Sequence, residues 1–593
     1  MGAAVTQQAL PHWDLTSIFP ALDSSEFEEE AGAAVRELEG LGKLFDERGI
    51  DRGGPPDAFD EATERLNALL ERFETVFAFV VAHVRTDSRD EQAQARLSEL
   101  QRHVVTLSKL GTRYTAWVGS LDTDQLLADS EVARAHEFMV RRAEKAARHL
   151  MPRPEEELAA ELNPTGATAW GKLHSNVTSQ LQVEVEVRGE RRRLPMSEVR
   201  NLALDADREV RRAAYEAELA TWEATAVPLA AALNSIKGQT NVLGDRRGWE
   251  SPLEDALFRN QIDAETLDAM VAAVTEALPE LRRYFGAKAR ALGVSELAWY
   301  DLFAPLGGSS NGWDFGAARA FIVEQFASYS DALRDFADRA FRERWIDAEP
   351  REGKVDGAFC LRVRRGESRI LSNFSSTFSA MGTLAHELGH GYHNVVAAGL
   401  TPLQRAIPMT AAETASIFCQ TIVKNAALRD AGPAERLEIL EGSLQSDIQV
   451  VVDILSRFLF ERRLLERRRE RELSVSELCA LMLEAEREAY GDALEAETLH
   501  PYMWAVKPHY YFSTFYNFPY TFGLLFGLGL YARYEADPDA FRARYDELLG
   551  STGLLDVPDL AARVEIDVRS PEFWRESLGV VLEDVRALEE LLA

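Results

Sequence analysis

The segment TLAHELGHGYH, residues 383–393, places His386 and His390 four positions apart. On an α-helix these positions lie on one face, one turn apart, so both imidazoles can reach a single metal ion. Apolar residues at helical spacing surround them and predict a helix packed against a core. Glu387 adjoins the first histidine and can take a proton from a water molecule that zinc activates. The segment therefore predicts a zinc-binding helix with a general base.

A catalytic zinc needs a third protein ligand and one open position. His393 faces the same side as His386 but lies two turns along the axis, too far from the metal. Glu413 lies far enough beyond His390 for the chain to turn back and lay a second helix beside the first. Thr410 and Glu413 also fit a capping box, so a structural role is the alternative. We expect Glu413 to be the ligand, because two histidines alone leave zinc short of three.

Gly389 lies inside this predicted helix, between His386 and His390. Glycine in a helix interior costs up to ~1 kcal/mol relative to alanine. A neighbouring backbone that approaches the helix closely at this point would explain why the residue has no side chain.

Helical periodicity over most of the chain predicts a mainly α fold, which we expect to form two lobes, residues 1–190 and 191–593. Two segments alternate like strands instead. The first runs from Val183 to Leu194 with a turn at Arg188 and Gly189, and the second runs from Ala358 to Phe374 with a turn at Arg365 and Gly366. The second hairpin directly precedes the predicted zinc helix, so we expect a small β-sheet beside that helix.

Aromatic residues are concentrated in residues 500–520, far above the 9% of the whole chain. Core packing is the ordinary explanation for such a cluster. However, His509, Tyr510, Tyr511, Tyr516 and Tyr520 bring many polar tips into one short region, and such donors can stabilise the oxyanion of a tetrahedral intermediate. We expect at least one tyrosine to act in this way, and the sequence leaves open which one.

The chain carries 66 basic and 97 acidic residues, a formal net charge of -31. This charge opposes binding to nucleic acid and to anionic membranes. The three cysteines lie far apart without paired spacing, which argues against a disulfide framework and fits a reducing cytoplasm. The first residues do not have the pattern of a secretory signal or membrane anchor. We expect a cytoplasmic protein without nucleic-acid or membrane partners.

Three separated segments share one resemblance: Trp13-Asp-Leu, then TLAHELGHGYH with ETASIF (residues 413–418), then HYYFSTFYNFPYTFG (residues 509–523). Together they resemble the oligoendopeptidase F branch of the thimet-oligopeptidase-like zinc metallopeptidase family. The resemblance implies two helical lobes around a deep substrate channel, with short peptides as substrates and one Zn²⁺ per chain.

The resemblance also implies a role for each site residue. His386, His390 and Glu413 correspond to the zinc ligands, and Glu387 corresponds to the general base. The residues His509, Tyr516 and Tyr520 correspond to a loop that contacts the substrate and the transition state. Gln420 is a departure, because many relatives carry a glutamate seven residues after the ligand glutamate.

The predicted function is zinc-dependent hydrolysis of internal bonds in short oligopeptides by an activated water. Two alternatives stay open: a zinc carboxypeptidase with the same metal helix, and a non-catalytic peptide-binding protein with a structural zinc. We further hypothesise that strand Ser368–Phe374 pairs with the substrate backbone by strand addition. The oligomeric state is not determined by the sequence.

Overall fold

A computed structural model describes residues 10–307 and 312–593. Helices dominate these residues and β-strands are few, so the prediction of a mainly α fold is confirmed. Within the described ranges, every helix is too short or too polar to cross a membrane.

The helices follow one another along almost the whole described chain, linked by short 3₁₀ turns and loops. Before residue 300 they are α1 (Ser25–Glu47), α2 (Phe59–Thr86), α3 (Glu91–Val118), α4 (Thr123–Asp129), α5 (Glu131–Ala135), α6 (Glu137–Ala147), α7 (Arg153–Leu162), α8 (Ala167–Thr178), α9 (Met196–Asn201), α10 (Arg208–Arg246), α11 (Pro252–Arg259), α12 (Ala264–Leu281) and α13 (Arg283–Leu292). After residue 312 they are α14 (Phe315–Tyr329), α15 (Asp331–Arg342), α16 (Phe378–Val396), α17 (Met409–Ala412), α18 (Thr414–Asp430), α19 (Pro433–Ile448), α20 (Ile454–Arg468), α21 (Val475–Tyr490), α22 (Met503–Val506), α23 (His509–Phe512), α24 (Phe518–Ala536), α25 (Pro538–Gly550), α26 (Val557–Ala562) and α27 (Pro571–Leu592). A π-helical segment, Gln449–Asp453, joins α19 to α20.

The first predicted hairpin is present as strands β1 (Gln182–Val187) and β2 (Glu190–Pro195), which pair antiparallel. Its two-residue turn consists of Arg188 and Gly189, with φ angles of 51° and 82°. Two successive positive φ angles are typical of the turn whose twist matches that of paired strands. The turn residues read from the sequence are therefore confirmed.

The second hairpin forms part of a sheet with strands β3 (Ile346–Asp347), β4 (Phe359–Arg364) and β5 (Glu367–Leu371), in the order β3–β5–β4. Strand β5 is antiparallel to β4 and parallel to β3. Sequence analysis did not find β3, because two residues are too few to show alternation.

Strand β5 is paired along both edges, which makes our hypothesis about Ser368–Phe374 wrong. On the side away from β4, Ile370, Ser372 and Phe374 each donate a backbone hydrogen bond to residues 345–348. A substrate cannot add to a strand whose two edges are already occupied. The two edge strands of the described sheet are β3 and β4.

The sheet packs on α16, as predicted for a small sheet beside the zinc helix. Asn394, near the end of α16, connects the three elements: its amide nitrogen donates to Ser368 Oγ at 3.1 Å, and its oxygen accepts from Arg362 at 2.8 Å. These bonds fix the sheet's register against the helix.

The described chain divides into two compact units. The first comprises the described residues of Met1–Leu150, Ser310–Arg429 and Arg533–Glu565, and the second those of Met151–Ser309, Asp430–Ala532 and Ile566–Ala593. Each unit draws on three separate stretches of chain, whereas the lobes expected at 1–190 and 191–593 are continuous regions of sequence. That boundary stays a prediction, as does the channel between lobes.

The core of the first unit connects its N-terminal helices to the sheet. Phe19 contacts Phe27 and Phe79 edge-on, with ring centroids 5.6 and 5.1 Å apart. The same buried cluster includes Leu371 of β5. Burial of large aromatic side chains contributes strongly to stability, so these residues hold the sheet that supports α16.

Gly389 permits α18 to approach α16 very closely. A Cβ atom built on Gly389 would lie 2.6 Å from both the carbonyl oxygen of Ala415 and the Cα of Ser416. Both atoms belong to backbone and cannot rotate away. The expected close approach of a neighbouring backbone is therefore confirmed.

We expect Gly389→Ala to destabilise the protein, because the added methyl group collides with the backbone of α18. Overpacking of this kind typically costs about 1–3 kcal/mol. Gly382→Ala is the matched control on the same helix, since a Cβ there meets nothing within 4 Å. It should leave the unfolding midpoint unchanged or raise it. Denaturant unfolding of both variants tests this, and equal midpoints would contradict it.

Candidate active site

Helix α16 presents His386 and His390 on one face. The helix begins at Phe378, where the Thr377 hydroxyl accepts a hydrogen bond from the Ala380 amide at 3.2 Å. The two imidazole rings lie with their centroids 5.0 Å apart and almost perpendicular to each other. Each side chain keeps about a quarter of its surface exposed, so the face is open to a metal ion.

Glu413 lies between α17 and α18 and completes a compact group of three. Its Oε2 atom is 3.2 Å from Nε2 of His386 and 3.4 Å from Nε2 of His390. Zinc bonds of about 2.0–2.1 Å in tetrahedral geometry space neighbouring ligand atoms by roughly 3.3 Å. We call these residues the His–His–Glu cluster. Its donor atoms lie within 4.8 Å of one another and match the size and chemistry of a zinc site.

The alternative role for Glu413, as part of a capping box with Thr410, is wrong. The residue that caps α17 is Pro408, and its cap has no side-chain hydrogen bond. Instead, the Ser416 hydroxyl donates to Glu413 Oε2 at 2.6 Å. Ser416 belongs to the same turn that passes over Gly389, so the close approach of the two helices also orients the carboxylate.

The cluster's charges depend strongly on one another. Burial acts to raise the pKa of Glu413, but its hydrogen bonds to His386 and His390 outweigh burial and lower it well below the ordinary value. Burial acts to lower the pKa of His386, but the hydrogen bond and charge of Glu413 outweigh it and raise the pKa. A metal ion that binds here must displace a proton, so metal affinity should fall in acid.

Gln420 orients the first histidine. Its Oε1 atom lies 3.0 Å from Nδ1 of His386, and an amide oxygen can only accept, so Nδ1 carries the proton. Nε2, which faces Glu413, is then the atom left to coordinate a metal once its own proton is displaced. This is the usual way in which a second residue fixes a metal-binding histidine, here with a neutral amide.

Glu387 faces a cavity of about 420 Å³ beside the cluster. The cavity lies between β4, α16 and the residues just before α18. It is lined by Ala358, Phe359, Cys360, His386, Glu387, His390, His393, Asn394, Ile407, Ala412 and Glu413. Burial raises the pKa of Glu387, against the lowering effect of both cluster histidines. The Cys360 backbone N–H donates to its carboxylate. Glu387 is thus a buried base beside a space for a substrate.

Cys360 lines the same cavity but is a poor nucleophile. Burial, with the charge of Glu387, raises the pKa of its thiol to about 12. The thiolate is the reactive form of cysteine, and almost none is present near neutral pH. Covalent catalysis by this residue is disfavoured. All three cysteines of the chain are unpaired.

His393 lines the cavity wall but directs Nε2 away from the cluster. That atom lies 2.8 Å from the Thr552 hydroxyl and 3.2 Å from the Leu549 carbonyl oxygen. Burial lowers the pKa of His393 to about 4. The exclusion of His393 from the metal-binding group on helical spacing agrees with this geometry.

His509, Tyr516 and Tyr520 form a second group, in the second unit. The imidazole of His509 stacks on Tyr516 with ring centroids 4.6 Å apart. The Tyr520 hydroxyl donates to the Tyr516 hydroxyl at 3.2 Å. The structure therefore brings together the three residues that the resemblance implies, whereas Tyr510 and Tyr511 are buried.

Lys237 and Glu461 hold the segment between His509 and Tyr516, and sequence analysis missed them. Lys237 Nζ donates to Glu461 at 2.6 Å and to the Ser513 carbonyl oxygen at 3.0 Å, with both side chains buried. Two residues on, Phe515 has a φ of 52°, a left-handed conformation that is strained for a bulky side chain. No local signal reveals such a pair, because its members lie on separate helices.

Comparison with known proteins decides the family. Residues 322–580 match the model described as peptidase family M3, and residues 122–182 match the model described as oligopeptidase F. The chain belongs to peptidase family M3. It is therefore a metallopeptidase, and it falls within the oligoendopeptidase F branch.

Relatives of this M3 peptidase match it along almost its whole length. An oligoendopeptidase F homolog of Lactococcus lactis subsp. lactis is 24% identical over 98% of this chain and 97% of the relative. Group B oligopeptidase PepB of Streptococcus agalactiae is 25% identical over the same shares of the two chains. The oligoendopeptidase-F structure from Enterococcus faecium has a TM-score of 0.69 at 18% identity, covering 96% of this chain and 99% of that one. The last comparison shows that the fold is shared.

We expect His393→Gln to reduce the fall in the free energy of unfolding between pH 7 and pH 4, without removing metal. A buried histidine whose folded pKa is about 4 stabilises the fold fully above its ordinary pKa, and this stability is lost as the pH falls through 4. The shift from about 6.5 corresponds to about 3 kcal/mol. Unfolding measured at pH 7 and pH 4 should show a smaller drop in the variant. Equal drops, or loss of metal from the variant, would contradict this assignment.

Proposed function

We propose that this M3 peptidase is a zinc-dependent endopeptidase that hydrolyses internal bonds of short oligopeptides. His386, His390 and Glu413 would hold one zinc ion per chain, and Glu387 would be the general base. The observation that carries the proposal is the spacing of the cluster's donor atoms, 3.2 and 3.4 Å, beside a buried carboxylate. The relatives named oligoendopeptidase F support the class of substrate.

The chain's own residues supply the proton transfers. When bound, zinc contributes Lewis-acid chemistry, polarising a carbonyl and lowering the pKa of water to about 7. Glu387 accepts the proton of the attacking water and passes it to the leaving amine. Its raised pKa makes it a better base than an exposed glutamate, and the Cys360 N–H keeps its carboxylate in place. No covalent intermediate is needed.

We assign the oxyanion donor to Tyr516, with Tyr520 and His509 as its supports. Because Tyr520 gives its proton to the Tyr516 oxygen, the Tyr516 proton is left to be donated onward. A hydroxyl that accepts a hydrogen bond becomes a stronger donor. The stacked His509 ring limits how far Tyr516 can rotate. The sequence left the choice of tyrosine open, and this hydrogen-bond direction favours Tyr516.

The free edge of β4 is our candidate for binding the substrate backbone. Ala358, Phe359 and Cys360 line the cavity, and β4 pairs with β5 alone in the described sheet. The Cys360 N–H is already donated to Glu387, so the substrate would bond to the other backbone groups of this edge. Main-chain hydrogen bonds to such an edge bind a peptide with little regard to its side chains. This replaces the earlier hypothesis that placed the substrate on β5.

Two rival functions remain testable. A zinc carboxypeptidase would use the same cluster but remove residues only from a C-terminus. A peptide-binding protein with a structural zinc would have no use for Glu387, and structural zinc sites have four protein ligands where this cluster offers three. We further propose the cytoplasm as its compartment, supported by three unpaired cysteines.

We expect Glu387→Gln to abolish hydrolysis while keeping the metal. The amide preserves the shape of the side chain but cannot take a proton, and general-base catalysis typically contributes 10²–10⁴-fold. Internally quenched peptides, zinc analysis of the same samples and mass spectrometry of the products give the three readouts. Cleavage that starts only at C-termini would favour the carboxypeptidase. A zinc-loaded wild type that binds peptides without cleaving any would favour the binding protein.

If the substrate pairs with β4, methylation of the substrate's backbone nitrogens should raise KM at every second position. Alternate residues of a strand direct their N–H groups towards the same edge. Peptides N-methylated at one nitrogen at a time should therefore show raised KM at every second position near the cleaved bond. Their unmethylated parent is the control. A uniform effect at successive positions would count against strand addition.

A further inference from the structure

A small cavity of about 70 Å³ lies within the second unit, and we call it the Lys507 cavity. It is lined by charged, amide and aromatic side chains: Arg200, Tyr284, Phe285, Trp299, Leu302, Phe303, Gln445, Ile448, Gln449, Asp453, Tyr490, Met503 and Lys507. One water needs roughly 10–15 Å³ of such volume. The cavity therefore has room for a halide or a carboxylate group with its waters, and none for a whole peptide.

Lys507 is a cation without a counter-ion. Among the residues that the structure describes, no carboxylate lies within ion-pair distance of its ammonium group, and no hydrogen bond joins it to a neighbour. Burial, with the charges of Arg457 and Arg200, lowers the pKa of Lys507 to about 7, against the opposite effects of Asp453 and Glu218. An anion bound beside Lys507 would favour its charged form.

The two nearby carboxylates are already paired with other cations. Asp453 forms an ion pair with Arg457. Glu218 lies 3.4 Å from Arg200 and 3.5 Å from His500. Neither is free to neutralise Lys507. The positive charge of the cavity is therefore available to a ligand from outside the chain.

The cavity wall also contains a departure from regular helix. Gln449 and Asp453 are the ends of the π-helical segment between α19 and α20. Its widened turn leaves the Val450 carbonyl oxygen to accept from the Thr521 hydroxyl at 2.7 Å, which connects the segment to α24. Short π-helical insertions occur often at functional sites. Gln449, one end of this segment, carries an amide that can donate a hydrogen bond and is among the residues that line the cavity.

We propose that the Lys507 cavity binds one small monovalent anion, with Lys507 as its charged contact. The ligand chemistry is a carboxylate or a halide of matching size. Lys507 precedes His509 by two residues, so an occupied cavity would also stabilise the segment that carries His509. The lining of the Lys507 cavity shares no residue with that of the cavity beside the His–His–Glu cluster.

Tryptophan fluorescence of the zinc-loaded protein tests the proposal, because Trp299 lines the cavity. Sodium formate and sodium chloride are titrated separately, with ionic strength held constant by a bulky sulfonate salt. The wild type should show a saturable change that Trp299→Phe removes. Lys507→Met should weaken binding at least about tenfold, the loss of one charge-assisted contact of about 1.4 kcal/mol or more. Lys507→Arg should keep it.

Lys172→Met is the control, since Lys172 is an exposed lysine on α8 of the same unit. It should titrate like the wild type. A flat titration of the wild type overturns the proposal, whether or not every variant folds. An equal response in the wild type and Lys507→Met also overturns it. Binding is measured without turnover, so these outcomes do not depend on whether the enzyme cleaves peptides.

Competition then separates the two sources of the anion. An N-acetyl dipeptide with a free C-terminal carboxylate and its C-terminal amide are each added to protein saturated with formate. If the acid displaces formate and the amide does not, the ligand is the end of a peptide. If neither displaces it, the ligand is a free small anion. Both results support an anion site at Lys507.

Discussion

The contact between α16 and α18 at Gly389 is the constraint on which the candidate active site depends. Two histidines on one helix provide only two donor atoms. The third must come from elsewhere in the chain and reach within about 3.4 Å of His390. A side chain at position 389 would keep the second helix away, because a Cβ there would already lie 2.6 Å from backbone atoms. The missing side chain thus permits the third donor to arrive, and Ser416, on the same turn, fixes its direction.

Around this contact, hydrogen bonds hold several polar groups of the first unit in place. Gln420 fixes the proton of His386, and Asn394 joins α16 to the sheet. The Cys360 backbone amide supports Glu387. Side chains held in this way need little reorganisation during a reaction, which is the main source of electrostatic catalysis. The charge interactions within the cluster also make metal binding and proton release a single equilibrium.

In the second unit, a buried ion pair holds the segment between His509 and Tyr516 in place. Residues between His509 and Tyr516 form no long regular element, and Phe515 is held in a strained conformation. The buried pair of Lys237 and Glu461 compensates by binding the Ser513 carbonyl oxygen. Such strain persists only where the surrounding structure determines it fully, and it is common where side chains must be aimed. The Lys507 cavity is close to this segment along the chain, because Lys507 precedes His509 by two residues.

The sequence by itself determined the mainly helical class, both hairpin turns, the two histidines with Glu387, and the choice of Glu413 over His393. Each of these rests on local periodicity or on the number of ligands that zinc requires, and both can be read along one stretch of chain. The same reasoning predicted a close approach at Gly389, since an unfavourable residue in a helix needs a reason.

Only the tertiary structure decided which strand has a free edge, which residues pair with Lys237, and that Lys507 lacks a counter-ion. Strand β3, two residues long, carries no sequence signal, yet its pairing covers one edge of β5 and leaves β4 as our candidate for binding the substrate. An ion pair between α10 and α20 and a cavity lined by several helices arise from contacts between residues hundreds of positions apart. Such contacts form by packing, and packing leaves no periodic trace in the order of residues.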